Sequence, residues 1–421
     1  MLRKVTAIIS GTLVAQLINV ISLPILTRLF TPADIGVQNV FLSTLNILMP
    51  LVSLSLPMAI IQTKRNDEKY VNTAAILFTL LFIVFICIFF ILFYDYMVSS
   101  FGTKHIYFLL IILIMTLFFN SYQQLIEYKL IKAGEYSAIS KISVITSLYL
   151  NGFKILGGIF FSNFWCLLVA IFSAVPFKVL LQYNNIKIKK EEILFSLNTA
   201  KIKKTVFKYH DFILYRSPQA LLSTLSLSIP LYFITLNSGL SEAAFYSLAL
   251  TLLMLPVNLI GNSITTVLYP ELVKIGKSKC AVNIVFKYFF VLVLVGCIIS
   301  SIIFNFGSPI IDLFLGFKWI KTAEYASWLS IIMIFQLANR PIISAVTAFS
   351  YQHLMLWFEI IAFIVKIGVF YLAVIFFKGL DIIKIYSVIS GGMYFIFSMY
   401  IVYRIKFDLG YKNEKENNNY K

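Results

Sequence analysis

Charged side chains stand within several stretches of the sequence that are otherwise apolar for about 20 residues. They are Lys154, Arg216, Arg340, Lys366 and Glu359, with Arg28 at the end of the first stretch. A charged side chain inside a lipid bilayer costs at least about 2.5 kcal/mol, so it normally faces a cavity or a partner. All but Glu359 are basic, and the guanidinium group binds phosphate through a planar fork of donors. These residues therefore predict a basic cavity for a phosphate-bearing anion.

Each of these side chains also has a structural interpretation. Glu359 and Lys366 are seven residues apart, which places them on one helical face but too far apart to pair directly, so they would form structural ion pairs with other helices. Arg28 and Arg216 are near enough to the ends of their stretches to extend to the membrane surface. Arg340 precedes a proline and could bind carbonyl groups that a helix break leaves free. The sequence leaves both interpretations open.

Side-chain amides form two pairs at helical spacing. Gln16 and Asn19 are three residues apart, and Asn258 and Asn262 are four apart, so each pair shares a helix face. Sugars are bound by amide and hydroxyl groups, and these residues therefore predict a polar lining of the cavity. The alternative is that they form hydrogen bonds between helices and bind no ligand.

The elements that must position these residues are membrane-spanning helices. Of the 421 residues, 60% are hydrophobic and 13% are charged, against roughly 45–50% and about 25% in soluble domains. That much apolar surface requires lipid as a second solvent. Twelve apolar runs are long enough to span a bilayer. They are residues 6–26, 36–61, 73–93, 106–126, 138–160, 165–181, 212–236, 244–267, 285–306, 325–349, 355–376 and 382–403.

The basic residues predict the orientation of the chain. With the N-terminus in the cytoplasm, 25 of the 35 lysines and arginines fall on the cytoplasmic side and six on the other. Cytoplasmic loops of membrane proteins carry such an excess, so both termini are predicted to be cytoplasmic. The net charge of +17 is then explained by an anionic leaflet, and it gives no reason to expect a nucleic acid partner.

The sequence divides into two similar halves. The predicted organisation is a six-helix bundle over residues 1–183, a basic cytoplasmic linker over 184–210, a second six-helix bundle over 211–404 and a polar cytoplasmic tail over 405–421. Pro24 and Pro50 are 26 residues apart, as are Pro230 and Pro256, with a common offset of 206. Six spans in each half predict a parallel repeat with a pseudo-two-fold axis along the membrane normal. The four prolines are hinge candidates, or else static kinks.

Several stretches resemble one family of transporters, the polysaccharide-biosynthesis flippases. These are the O-antigen (Wzx-type) exporters of the multidrug/oligosaccharidyl-lipid/polysaccharide (MOP) superfamily. The resemblance is carried by residues 10–19 (SGTLVAQLIN), 23–36 (LPILTRLFTPADIG), 244–249 (AFYSLA), 255–261 (LPVNLIG), 269–272 (YPEL), 315–319 (LGFKW), 323–326 (AEYA) and 339–342 (NRPI). Ala244 departs from the family pattern, which usually has glycine there, and a slightly looser helix contact is expected.

The resemblance implies an all-α, V-shaped fold of two six-helix bundles around a cavity lined largely by helices 1, 2, 7 and 8. The expected cargo is an undecaprenyl-diphosphate-linked oligosaccharide, moved across the bacterial inner membrane. Polymerase and chain-length proteins of the same pathway are expected as partners, besides the anionic bilayer. The resemblance also implies transport coupled to an ion gradient, and Glu359 is the candidate coupling residue. No cofactor is expected.

Enzyme and metal motifs are missing from the sequence. There is no P-loop, G-x-S-x-G or H-E-x-x-H motif, and the four cysteines and three histidines show no metal-ligand spacing. The first alternative function is a multidrug extruder, which would need buried carboxylates, whereas Glu359 is the only clearly mid-span acid. The second is a membrane polymerase or acyltransferase acting on lipid-linked glycans. Such an enzyme generally carries a large outer loop or an intramembrane histidine, but the longest outer segment, 305–322, has 18 residues, and the sequence has only three histidines.

Overall fold

The computed structural model describes residues 2–64, 66–92, 106–185, 195–349, 351–377 and 380–418. All regular structure in these ranges is helical, and twelve helices are long and apolar enough to cross a membrane. The predicted number of spans is therefore confirmed. The helices are α1 (Leu2–Leu29), α2 (Pro32–Ser53), α3 (Glu68–Leu92), α4 (Ile106–Ala133), α5 (Tyr136–Phe160), α6 (Phe164–Asn185), α7 (Ser217–Ser238), α8 (Leu240–Ile275), α9 (Lys279–Leu315), α10 (Lys321–Ala338 and Arg340–Ala348), α11 (Gln352–Phe376) and α12 (Leu380–Asn418).

Local sequence signals account for the ends of several helices. The turn between α1 and α2 is short because Thr31 and Asp34 form a capping box, in which each side chain accepts a hydrogen bond from the other residue's backbone N–H. Pro32 occupies the first turn of α2, where its missing N–H has no cost. Asn339 separates the two segments of α10. The predicted break beside Arg340 is therefore confirmed.

The second predicted run, 36–61, is wrong at its C-terminal end. Helix α2 ends at Ser53, and the next two residues have left-handed backbone, with φ of 47° at Leu54 and 53° at Ser55. Such values are strained for residues with a side chain. The turn redirects the chain into a four-residue helix, Leu56–Ala59, whose side chains pack in a buried cluster with α3. Burial of this apolar segment compensates for the strained turn.

Contacts between helices divide the chain into two compact units, Met1–Leu225 and Ser226–Lys421. The division falls within α7, and the four-part organisation inferred from the sequence stays a prediction. In the N-terminal unit, α1 and α5 approach each other closely because glycine is present at the contacts. A Cβ atom on Gly11 would lie 1.6 Å from Ser140 Oγ, and one on Gly158 would lie 2.7 Å from the Phe30 ring. A larger residue at position 11 would force the two helices apart, and one at position 158 would displace the Phe30 ring.

Two polar ties join helix ends in the C-terminal unit. At one end, the Glu242 carboxylate accepts hydrogen bonds from Lys321 Nζ and from Tyr325 OH, the latter at 2.7 Å. At the other end, Asp408 Oδ2 accepts from Tyr351 OH at 2.5 Å and from Lys277 Nζ at 3.1 Å. The first tie joins α8 to α10. The second joins the α8–α9 and α10–α11 connections to α12.

Glu242→Gln is expected to lower the melting temperature, corresponding to a loss of about 1 kcal/mol, because a hydrogen bond to a charged group (about 1.5–3 kcal/mol) is replaced by one to a neutral amide oxygen (about 0.5–1.5 kcal/mol). The buried Tyr325 hydroxyl dominates this loss, because an ion pair with the half-exposed Lys321 is worth little. Thermal unfolding of the purified protein in detergent measures the effect. Glu324→Gln, an exposed acid in the same turn of α10, is the matched control. Equal shifts for the two variants would contradict the assignment.

Candidate functional site

One of the predicted basic residues, Lys154, is buried in the N-terminal unit. Only 6% of its surface is exposed, and no carboxylate of the described residues forms an ion pair with it. The thiol of Cys166 lies within electrostatic range of the Lys154 amine. One turn earlier on α5, the Asn151 amide donates to Asn19 Oδ1 on α1 at 2.7 Å and to the Ser147 carbonyl at 2.8 Å. The closely packed α1–α5 pair therefore presents an amide pair and an unneutralised amine at neighbouring positions.

The other residues predicted in this unit are placed differently. Arg28 is exposed in the last turn of α1. Arg216 is also exposed, at the end of a π-helical turn, Phe212–Arg216, that leads into α7, and its Nη1 donates to Gln219 Oε1 at 3.2 Å. Gln16 carries a buried Oε1 that accepts no hydrogen bond from the described residues. The structure therefore does not bring the two arginines together with Lys154.

In the C-terminal unit, Lys366 is as deeply buried as Lys154, with 5% of its surface exposed. Its Nζ donates to Ser226 Oγ on α7 at 3.1 Å and lies 5.8 Å from the centre of the Tyr394 ring on α12. Glu359 is within electrostatic range of both Lys366 and Tyr394. The lysine is thus held by neutral groups, and one carboxylate on its own helix is within electrostatic range.

Arg340 lies at the break of α10 and reaches across to α8. Its Nη2 donates to Asn258 Oδ1 at 3.2 Å. The aliphatic part of the side chain passes over Gly261, where an added Cβ would lie 2.7 Å from Arg340 Cγ and Nε. Arg340 and Asn258, predicted separately from the sequence, therefore belong to one contact. The side chain of Asn262 lies outside the described residues.

Hydrogen bonds continue from the α10 break into α12. Asn339 is buried, and its Oδ1 accepts from Ser398 Oγ at 3.2 Å. Gln336, one turn before the break, hydrogen-bonds the Tyr394 side chain, which is also the ring beneath Lys366. The basic groups of this unit are therefore linked through α12. Sequence reasoning missed Gln336 and Tyr394, because a single polar residue in an apolar helix does not indicate its partners.

The polar contacts of the two halves are alike. In each half, a side chain on the first helix binds one on the fifth: Asn19 to Asn151, and Ser226 to Lys366. Asn19 is five residues before Pro24, and Ser226 is four before Pro230. Each half also buries one lysine in its fifth helix. These internal similarities support the repeat inferred from proline spacing.

The four predicted hinge prolines all lie inside helices. Thr27 Oγ1 donates to the Pro24 carbonyl at 3.2 Å, and Ser217 Oγ donates to the Pro50 carbonyl at 2.6 Å. Side-chain hydroxyls thus satisfy backbone groups near two of the prolines, as expected in an apolar environment. The hinge role of Pro24, Pro50, Pro230 and Pro256 stays a prediction. In the part of the chain that the structure describes, no group of three or more His, Cys, Asp or Glu residues is arranged to hold a metal ion.

A protein-family model described as "Polysaccharide biosynthesis protein" matches residues 25–324. The chain belongs to this family. The match includes Lys154 and Asn258 and ends before Arg340 and Lys366. A search of curated proteins gives no match to the sequence.

Solved structures identify the fold of this family member. The lipid II flippase MurJ in an inward closed conformation aligns with a TM-score of 0.66 at 14% identity, over 96% of this chain and 88% of MurJ. A multidrug resistance MATE family transporter of the MOP superfamily, in an inward-facing conformation, aligns with a TM-score of 0.60 at 16% identity, over 94% of each chain. A mutant of the Vibrio cholerae MATE transporter VcmN gives 0.56 at 12% identity, over 96% of each chain.

At these identities the likeness is one of fold. The chain is a multi-pass, all-α membrane protein with the MOP-superfamily fold, and this prediction is confirmed. A lipid flippase and multidrug transporters share this fold. The choice between these two kinds of cargo therefore depends on the side chains and cannot be made from the fold.

Proposed function

We propose that this protein is a flippase for undecaprenyl-diphosphate-linked repeat units of O-antigen or a related polysaccharide. It moves them by alternating access across the bacterial inner membrane, with both termini in the cytoplasm, and it catalyses no covalent step. Membership of the polysaccharide biosynthesis family supports a glycan pathway. Polymerase and chain-length proteins of that pathway are the partners that would take the cargo after translocation.

The observation that carries the proposal is the sign of the charge at membrane depth. Among the described residues, Lys154, Arg340 and Lys366 lie within the spans away from their ends, and the two lysines form no ion pair with a carboxylate. The acids at a comparable depth include Glu359 and Glu127, and Glu127 is paired with Lys178. Lys154 and Lys366 are buried, and an amine or guanidinium held away from water binds a diphosphate more strongly than it would at the surface. Basic side chains in each unit therefore favour an anionic headgroup as cargo.

The amides beside the basic groups suit the glycan part of the cargo. Asn19 is exposed next to the buried Asn151, and Asn258 is half-buried next to Arg340. Sugar hydroxyls both donate and accept hydrogen bonds, as amides do. Glu359 is the proposed coupling residue, because a change in its protonation would alter the field at Lys366.

A multidrug extruder is the competing function, and Glu359 is the observation that favours it. Organic cations require a carboxylate, and this one is within electrostatic range of Tyr394, whose ring is suited to cation–π contact. The nearby amine of Lys366 opposes such a ligand electrostatically. Glu359→Gln separates the two functions: it should abolish extrusion of a cation but leave binding of a diphosphate lipid intact.

The proposal is tested with purified protein in liposomes that contain a fluorescent undecaprenyl-diphosphate-linked sugar. An impermeant reagent or glycosidase added outside measures how much of the lipid is exposed on that side. We expect the protein to equalise the two leaflets, whereas protein-free liposomes retain their asymmetry. An organic cation is assayed in the same liposomes. Extrusion of the cation without movement of the lipid would overturn the proposal, and a covalent change in the glycan would indicate an enzyme.

A further inference from the structure

A basic pocket lies outside the site described above, in the N-terminal unit. Its volume is about 570 Å³, and it is formed between the start of α3 and a short helix, Thr199–Lys208, which we call the basic helix. The residues that line it are Lys64, Asn66, Asp67, Lys69, Tyr70, Lys201, Lys204, Thr205 and Lys208. Five of these are lysines and one is an acid. Such a composition suits an anion.

The basic helix presents its lysines in a fixed arrangement. Lys201, Lys204, Thr205 and Lys208 occupy i, i+3, i+4 and i+7 positions, which is one face of a helix. The neighbouring face is anchored, since Ile202 and Tyr209 belong to the same buried cluster as Tyr70 of α3. The start of the helix is also held in place, because Asn198 Oδ1 accepts from the Lys201 N–H at 3.1 Å. The pocket is therefore part of the folded core, although its lysine side chains are exposed.

Most of the positive charge in the pocket is not neutralised by protein groups. Lys208 pairs with Asp67 at 3.1 Å, and the hydrogen bond to Asp67 raises the lysine pKa. Glu68 forms an ion pair with Lys132, which lies outside the pocket. Lys64, Lys69, Lys201 and Lys204 form no ion pair with any residue in the described ranges. Four like charges around one pocket repel each other, and a bound anion would relieve that repulsion.

The surroundings of the pocket place it at a membrane surface. It lies on the side predicted to be cytoplasmic, where the leaflet carries anionic lipids. Two apolar side chains beside it are almost fully exposed, Leu197 at 83% and Phe207 at 78%. An amphipathic helix with lysines on one face and exposed apolar groups on another is typical of a segment lying in the headgroup region. A soluble anion would make no use of Leu197 or Phe207.

We propose that this pocket binds the headgroup phosphate of an anionic phospholipid. The uncompensated lysines hold the phosphate oxygens, and Leu197 and Phe207 lie against the acyl chains. Bound there, the lipid bridges α3 and the segment that precedes α7. The site is separate from the cargo residues, so the inference does not depend on which cargo the protein carries.

The test compares two double variants of the full-length protein. Lys201→Gln/Lys204→Gln removes two lysines from the pocket. Lys141→Gln/Lys203→Gln removes two exposed lysines of the same unit that do not line it. Each purified protein in detergent is titrated with phosphatidylglycerol or with phosphatidylcholine of the same chains, and retained lipid is counted by native mass spectrometry. Thermal unfolding checks that all four lysine substitutions leave the protein folded.

We expect the wild type to retain phosphatidylglycerol in preference to phosphatidylcholine, and added salt to weaken this preference. The pocket variant should lose retention by at least about tenfold, because each lysine near an anionic surface contributes roughly a factor of five. The control variant should keep it. Equal losses in both variants, or none in either, would overturn the proposal. Binding of inorganic phosphate without any preference for phosphatidylglycerol would also overturn it, in favour of a soluble anion.

Discussion

Gly261→Ala is expected to impair translocation almost as severely as Arg340→Ala, although it removes no charge. An added Cβ at position 261 would lie 2.7 Å from two atoms of the Arg340 side chain, so the arginine must move. Its hydrogen bond to Asn258 at 3.2 Å would then be lost. If the guanidinium holds the cargo diphosphate, displacement and deletion have the same consequence.

Loss of a charge-assisted hydrogen bond of about 1.5–3 kcal/mol corresponds to a fall in transport of about tenfold or more. Arg340→Lys should give an intermediate loss, because lysine keeps the charge but lacks the planar fork. Transport is measured by the change in sidedness of the labelled lipid in liposomes. In cells, surface glycan is compared at equal membrane abundance of each variant.

Gly392→Ala is the matched control, since a Cβ built there meets no atom within 4 Å. It should leave transport unchanged. The competing interpretation is that Arg340 only stabilises the break in α10. In that case, the melting temperatures of the Arg340 and Gly261 variants would fall in proportion to their transport. A loss of transport at an unchanged melting temperature excludes this interpretation.

The fold could be predicted from the sequence because the bilayer imposes a length on each helix. Hydropathy over about 20 residues identifies a span whatever it packs against, and all twelve spans were found in this way. The break in α10 was also predictable, since Pro341 restricts the residue before it. The end of α2 could not be predicted from the sequence. Leu54 and Ser55 are ordinary residues for an apolar run, and their left-handed backbone is stabilised by burial of the segment that follows.

The same limit applies to the candidate site. Hydropathy gives the depth of a charged residue in the membrane but not the direction that it faces. Arg216 and Lys366 were predicted for the same role, yet the first is exposed beside Gln219 and the second is buried against Ser226. Ser226 is 140 residues away from Lys366 in the sequence. A contact of that separation is fixed by helix packing, which the residue types along a single helix do not encode.

Replacing a buried lysine is expected to stabilise the protein but to impair transport. Lys366→Met is expected to leave the melting temperature unchanged or raise it while transport falls by at least about tenfold. A lysine inside a membrane helix costs about 2.5–3.5 kcal/mol, and methionine of similar shape removes that cost. Loss of the hydrogen bond to Ser226 destabilises the protein by only about 0.6 kcal/mol, the average for such bonds in membrane proteins. The cost of the buried lysine exceeds that of the lost hydrogen bond, so the methionine variant is expected to be at least as stable as the wild type.

Lys154→Met provides a comparison within the other unit. Lys154 is equally buried and donates no hydrogen bond to any described side chain, so its replacement should stabilise the protein more than that of Lys366. Thermal unfolding in detergent measures both changes, and the liposome assay measures transport. Ser226→Ala is the control for the hydrogen bond alone and should change transport little, since the lysine charge remains.

A purely structural lysine would behave in the opposite way. If Lys366 stabilises the unit through Ser226, Tyr394 and Glu359, Lys366→Met must lower the melting temperature by more than Ser226→Ala does. Lys366→Arg distinguishes the two cases further. It keeps a cation that can bind a phosphate, so transport should be retained in part even if the larger group disturbs the packing. A stabilised protein that no longer transports would mean that the amine is kept for the cargo, because a charge that costs folding energy must be retained for another reason.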